Sequence, residues 1–423
     1  MGYSLLNGIR VLEVSLLAPD SVGQHLADMG AEVIKIEAPP RGDHVRGVSP
    51  TAVGEPGGPS LLHLTWNRGK RSVGLDLRHA EGQAVFLELV RRSHVVIEGL
   101  RAGTLQAWGL GLARLQAANP ALVYCTLSGT GRDSPYTRLG SHGVFFDAYA
   151  GLVPPHVHAD GSVRLPVEHP VSIGIHAGGL QAAVGVLSAL VRAVRTGQGA
   201  VVDVAELDAA ALWDKEGIEW AMNEPLMHRR ATYAQGSGRP TGLNESVRYS
   251  YYLTGDDRLM LFQAPERKFF ENFCRAVQRP ELIERFPGSD YDQAAGNEAL
   301  RAELQGIFRT RTQAQWTELF IRANVAGGPA LRPAEIAGDP HFQARANVYT
   351  VQHPRYGTLH LTSTPIKIAG ETFAAQLAPE MGADTGAVLR ELLGYDDARI
   401  AALAAAGAIN ASPASGAGAG RAG

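Results

Sequence analysis

The sequence predicts an α/β protein built around a parallel sheet, and three observations carry this. Over the first 125 residues, short apolar β-branched runs alternate with segments of helical periodicity. A long apolar helix pattern, Val171–Thr196, leads into a further strand, Val201–Ala205. Of the 423 residues, 45% are hydrophobic and 19% charged, enough for two or three domains with a substantial core.

Taken in order, Ile9–Ser15 reads as the first strand and Asp20–Gly30 as a helix that a glycine ends. Ala31–Glu37 is the second strand. Ser72–Leu77 is a short third, followed by a helix over Ala80–Arg92. Val95–Glu98 and Ala121–Leu127 are further strands. Strands spaced by helices of this length pair in parallel through right-handed crossovers, which makes the core Rossmann-like. Leu207–Met222 reads as one helix, and Ala231–Arg248, rich in Gly, Pro, Ser and Asn, as a linker or active-site loop. Arg248–Leu261 reads as a hairpin turning at Gly255-Asp256-Asp257. Helices follow to about Asn324, then strands around Tyr356-Gly357, then helices over Gly386–Leu393 and Asp396–Ala405. The Ala/Gly/Ser-rich tail, 411–423, reads as disordered.

Composition excludes several functions. Lys+Arg 39 against Asp+Glu 42 leaves a net charge of -3, which argues against a nucleic-acid binder or a polybasic membrane-surface protein. Cys125 and Cys274 cannot build a disulfide framework or a Cys-rich zinc site, so a reducing cytoplasm is the default. Met1–Ser15 shows no signal-peptide pattern, and the apolar run Ala177–Val191 falls short of the ~20 residues of a membrane span. No Walker A loop, HExxH or GxSxG is present, and Gly129-Thr130-Gly131 lacks the third glycine of a dinucleotide fingerprint. His156 and His158 alternate in a loop without a third ligand nearby, so no metal site is expected.

More specific are several motifs in fixed order. Gly8–Asp43 forms a βαβ opening. Asn67–Leu77 reads NRGKRSVGLDL. Val96–Gly103 precedes Trp108-Gly109-Leu110, and Asn119–Gly129, Gly185–Val204 and Ala378–Ile409 follow. Together they resemble the class III CoA-transferase family, which includes formyl-CoA transferase, carnitine CoA-transferase and α-methylacyl-CoA racemase. The resemblance runs from about residue 8 to 410. It implies a large Rossmann-like domain over 1–225 plus 330–410, with a smaller α+β domain inserted at 226–329, in an interlocked dimer. It implies CoA or acyl-CoA as substrate, with no tightly bound cofactor. The family's transferases use a carboxylate that attacks the thioester and forms a mixed anhydride. That anhydride becomes an aspartyl-CoA thioester, from which the acceptor acid takes CoA.

The chain departs from this pattern at the nucleophile. The position where the resemblance puts the Asp is Ile175, whose side chain has no lone pair. Ala38, Gly99, Ala107 and Gly143 also stand where the family carries polar groups. Lys70, Arg71, Arg101 and Arg41 are the candidate phosphate contacts for CoA. His142 aligns with the general base of the racemase branch and is the candidate catalytic residue. A loop histidine with no catalytic role is the commoner case, and His176 reads as helix-start packing. Glu168 and Asp147 are nearby carboxylates whose reach the spacing does not decide. Tyr249, Tyr251, Tyr252 and Phe262 read as hairpin packing residues rather than the lining of an aromatic-friendly pocket.

The leading expectation is therefore a subunit of a hetero-oligomeric class III CoA-transferase. Its homologous sibling would keep the Asp, and CoA would move from succinyl-CoA to an aromatic succinate such as benzylsuccinate, in aromatic degradation. The alternative is a CoA-ester racemase, isomerase or dehydratase with His142 as base. Two further readings are a self-sufficient transferase using Glu168 or Asp147, and a non-enzymatic acyl-CoA binder. No nucleic-acid or membrane partner is expected.

Overall fold

The computed structural model describes residues 2–47, 52–54, 57–165, 172–226 and 245–410. The 411–423 tail, Glu168 and most of the Ala231–Arg248 loop lie outside the described residues. The chain divides into two units, Met1–Ile218 with Ala346–Gly423, and Glu219–Arg345.

The first unit opens with β1 (Arg10–Ser15), α1 (Asp20–Asp28), β2 (Glu32–Glu37), α2 (Leu61–Trp66) and β3 (Arg71–Leu75). Next come α3 (Ala80–Arg91), β4 (Val95–Gly99), α4 (Thr104–Ala107), α5 (Leu112–Ala118), β5 (Val123–Ser128) and α6 (Gly143–Tyr149). A small ribbon of β6 (His156–Val157) and β7 (Val163–Arg164) precedes α7 (Ile173–Thr196), β8 (Ala200–Ala205) and α8 (Glu206–Trp213); the division between the units falls within α9 (Lys215–Asn223).

The second unit has β9 (Tyr249–Leu253), β10 (Leu259–Gln263), α10 (Arg267–Ala276), α11 (Glu281–Arg285), α12 (Glu298–Phe308) and α13 (Gln313–Ala323). It ends with β11 (Gly327–Ala330), α14 (Pro333–Ile336) and α15 (Pro340–Ala344). The chain then completes the first unit with β12 (Val348–His353), β13 (Gly357–Thr362), α16 (Thr385–Leu393), α17 (Asp397–Ala405) and β14 (Ile409–Asn410).

The central sheet has the order β14-β3-β2-β1-β4-β5-β8. Its neighbours pair in parallel except β14, which closes antiparallel on β3. Order 3-2-1-4-5 is that of the doubly wound Rossmann fold, and the strand order reverses between β1 and β4. Buried on both faces, these strands read as near-continuous apolar runs. Leu12, Ile34 and Val96 pack with Phe86 and Leu89 of α3, while Val11, Val33 and Ile97 pack with Ala182 and Val186 of α7.

The second unit's antiparallel sheet, β11-β10-β9, covers an aromatic core of Tyr252, Phe262, Phe273, Phe308, Trp316 and Phe320. Tyr252 stacks on Phe308 at 4.8 Å and donates its hydroxyl to Val247 O at 2.7 Å. Tyr252 and Phe262 are packing residues, while Tyr251 is exposed.

Two differences from the sequence reading have local causes. The helix read over Leu207–Met222 breaks at Asp214 (φ -107°, ψ 49°), giving α8 and α9. Helix α2 lacks enough turns to show periodicity, and is started by the Ser60 hydroxyl accepting from His63 N.

Helix α7 is long and apolar enough, by length and composition, to cross a membrane. In this fold one of its faces packs on α1, α6, α8 and the sheet. Glycines set how closely. A methyl on Gly174 would lie 2.6 Å from Phe146 Cβ and 3.2 Å from Ala210 Cβ, and one on Gly179 would lie 2.1 Å from Ser21 Oγ. For Gly174→Ala, overpacking of about 1–3 kcal/mol outweighs a helix-propensity gain of about 1 kcal/mol. We expect a lowered urea midpoint with an unchanged denaturant slope; an equal or raised midpoint would refute the close-approach account.

Candidate functional site

Where the strand order reverses, the loops after β1, β4 and β5 diverge and leave a crevice, the usual ligand position in such sheets. A cavity of about 660 Å³ occupies it. Its wall takes Leu16–Pro19 after β1, Gly99–Ala102 from the end of β4 onward and Leu127–Thr130 from the end of β5 onward. The segment leading into α6, the start of α7 and the start of α8 close it. Leu62, Trp66, Trp108, Phe146 and Ile175 make it mostly apolar.

The rim at Leu16–Pro19 is held from below. Leu17 sits at φ 62°, in the left-handed region, and its N–H donates to both carboxylate oxygens of Asp43, at 3.1 and 3.2 Å. Asp43 and Asp20 share the ammonium of Lys35, at 2.8 and 2.5 Å, with all three side chains buried. Burial works against ionised Asp20, but the Lys35 and Lys70 ammonium groups hold it below the usual carboxylate range. Burial pushes Asp43 up to about 6. Asn67 Nδ2 donates to Asp20 Oδ2 at 2.9 Å. Glu37 takes Arg46 in a two-pronged pair at 2.6 and 2.8 Å, which holds its carboxyl down at about 2 against burial.

The candidate residues separate on this frame. His142 precedes α6, is exposed and lines the cavity. Arg101 lines it too, with Nη2 3.8 Å from where a methyl on Gly140 would stand. Ile175 lies in the first turn of α7, in the same wall.

The other cations lie elsewhere. Lys70 is fully buried, its Nζ committed to Glu13 Oε2 at 2.5 Å and Asp20 O at 2.8 Å, so its role here is to hold β1 and α1. Arg71 pairs with Glu32 at 3.0 Å and with Glu391 of α16 at 2.7 Å, away from the cavity wall. Arg41 is exposed after β2 and is not part of the wall.

Asp147 is spoken for as well. Its Oδ1 accepts from Gly174 N at 2.8 Å and its Oδ2 from Ser172 Oγ at 3.0 Å, so it caps α7 and fixes Ile175. His176 is exposed on α7. His156 and His158 stand with ring centroids 4.7 Å apart. Among the described residues, no three His, Cys, Asp or Glu come together as metal ligands.

The small residues Gly99 and Gly143, where polar side chains were expected by resemblance, fit the wall sterically. A methyl on Gly143 would lie 2.6 Å from Ile175 Cδ1, and one on Gly99 would lie 2.3 Å from Pro19 Cβ. The isoleucine fills space that a side chain at 143 would need. The wall also holds a carboxyl that sequence reasoning passed over. Glu206 opens α8, is 4% exposed, and its Oε1 has no hydrogen-bond partner among the described residues. In sequence it looked like an acid in the first turn of a helix, where the dipole favours it.

A mostly apolar cavity of this size at the switch point of a Rossmann-ordered sheet marks a binding site for a small molecule or cofactor. The chain belongs to CoA-transferase family III, which matches residues 6–385. It is 29% identical over 398 residues to the alpha subunit of succinyl-CoA--L-malate CoA-transferase from Chloroflexus aurantiacus, covering 92% of this chain and 89% of that one. It is 28% identical over 404 residues to that organism's beta subunit, covering 93% and 96%. A solved CaiB/BaiF family protein from Brucella suis superposes with TM-score 0.72 at 25% identity, covering 93% of this chain and 100% of that one.

One titration tests the buried frame. Burial, with the Arg46 guanidinium 3.2 Å from Nε2, pushes the His63 imidazole from 6.5 down to about 3. Between those pH values the unfolded chain binds a proton at His63 that the folded chain does not, so the His63 contribution to stability falls as pH drops below 6.5, opposite in sign to that of the raised carboxyls Glu13, Asp43 and Glu206. The stability difference between wild type and His63→Gln should therefore change by up to about 1.4 kcal/mol per pH unit, read from urea midpoints. A difference that does not vary with pH would refute the lowered His63 imidazole.

Proposed function

We propose that this chain is one subunit of a class III CoA-transferase that moves CoA from succinyl-CoA to a carboxylic acid, with an aromatic succinate such as benzylsuccinate as the candidate acceptor. A homologous chain carrying the Asp supplies the nucleophile. The observation that carries this is Ile175, in the wall of the cavity and at the position where the resemblance puts the family's Asp. Asp147 is no substitute, being committed to the α7 backbone. The separate alpha and beta subunits of the Chloroflexus relative support a two-chain arrangement. So does the exposed apolar face of α7, with Leu180, Val184, Val191 and Val194, which suits an interlocked partner. The reading places the enzyme in the cytoplasm. A second reading, a CoA-ester racemase, isomerase or dehydratase, rests on His142 in the same wall.

Co-purification of the tagged chain from its native host, with transferase assays on the product, tests the first reading. A stoichiometric sibling bearing the Asp and little activity from the chain alone are expected; a fully active homodimer would overturn it. Ile175→Asp should create no substantial transferase activity. It should also lose about 1–3 kcal/mol of stability, because the carboxyl replaces a side chain packed against Trp66 and Phe146.

A further inference from the structure

We propose that Glu206 is the hydrogen-bond donor of this cavity, a carboxylic acid whose proton meets the thioester carbonyl oxygen of a bound CoA ester. The inference rests on the reading that the cavity takes the acyl end of a CoA ester. It goes beyond that reading by giving this chain's own site an electrophilic group.

The geometry points to it in three ways. Glu206 is placed rigidly: Leu207 N, the next amide in the chain, donates to Gly129 O at 3.0 Å, tying the start of α8 to the loop after β5. Its side chain runs against the glycine face of α7, where a methyl on Gly178 would lie 3.0 Å from Glu206 Cγ. Its Oε1 is sealed and neither carboxyl oxygen has a hydrogen-bond partner among the described residues; Oε2 is not sealed, and since Glu206 belongs to the cavity wall it is the oxygen a ligand can reach. A buried carboxyl left without a partner costs about 1–3 kcal/mol, and a ligand atom that pairs with it through Oε2 recovers part of that energy.

The protonation state follows from the surroundings. Burial alone pushes the Glu206 carboxyl up to about 8. The titratable groups on the elements packed around α8 are Asp147 and Tyr149 of α6, His176, Arg192 and Arg195 of α7, and Asp203 of β8. His142, His44 and Arg101 complete the wall. None of these offsets the burial. Near neutral pH the group is therefore a neutral acid and a donor.

The acceptor it suits is the thioester carbonyl. Leu16, Leu17, Ala18, Leu62, Trp66 and Ile175 make much of the wall apolar, and an uncharged carbonyl enters such a space at modest hydration cost when it gains a donor there. Its oxygen gains negative charge when a nucleophile attacks the carbon or the α-proton leaves, and a preorganised neutral acid stabilises that charge. The proton stays on Glu206 throughout, and no bond to the side chain forms or breaks.

The test is infrared spectroscopy of acetyl-CoA carrying carbon-13 at the thioester carbonyl, bound to the full-length protein as purified. At about pH 6 the carbonyl band should fall below its frequency in buffer, and by about pH 10 the difference should vanish as Glu206 ionises. Glu206→Gln keeps a neutral donor and should hold the lowered band at both pH values. Glu206→Leu should lose it and bind acetyl-CoA about tenfold more weakly, the equivalent of one hydrogen bond. Acetyl-CoA bound with an unshifted band, or with the same shift in Glu206→Leu, overturns this inference alone. No acetyl-CoA binding by the folded protein overturns the CoA-ester reading of the cavity, and this inference with it.

Discussion

Two ammonium groups buried under one end of the sheet organise the first unit. Lys35 on β2 and Lys70 at the start of β3 are out of water, so each needs anionic partners at contact distance. Asp20, Asp43 and Glu13 provide them. Those acids come from β1, from the first turn of α1 and from the loop after β2. The pairing therefore sets the heights of three elements at once. Through Asp43 it also holds the Leu17 backbone in the segment between β1 and α1 that lines the cavity. Removing one partner of such a pair typically costs about 3–5 kcal/mol, because the other charge stays buried.

Much of this architecture was legible. The strand runs, the α3 and α7 periodicities, and the hairpin around Gly255-Asp256-Asp257 survive in β9 and β10 and in the parallel sheet. These are local signals, and packing reinforced them. The site was legible in part. The motifs singled out His142, Arg101 and Ile175 separately, and in the structure all three line one cavity. Lys70 could not be placed from its motif. A lysine beside two arginines looks solvated, and only the long-range approach of Glu13 buries it. Glu206 was hidden for the opposite reason: a first-turn acid has an ordinary explanation, and its lack of a partner appears only in three dimensions.

The cavity joins two tendencies that normally exclude each other. Its wall is small or apolar at Gly99, Gly143 and Ile175, and the Ile175 and Pro19 side chains fill the space beside the two glycines. That same packing strips solvent from Glu206 and keeps its proton on. An apolar wall thus weakens one kind of carboxyl chemistry and prepares another. The Asp that a covalent transfer needs would be ill-suited here, while a neutral acid becomes a stronger donor as water is excluded.

The left-handed leucine at the crevice mouth bears on how this protein can diverge. A non-glycine residue in that conformation is strained by about 1–2 kcal/mol, and Asp43 holds it there through two contacts. A β-branched replacement at 17 would raise the strain, and glycine would remove it along with the side chain that packs beside Trp66. Selection for a new acyl group is thus steered away from this loop. The tolerant positions are those whose backbone owes nothing to the buried charges, such as the exposed stretch before α6, and variation in substrate preference should accumulate there first.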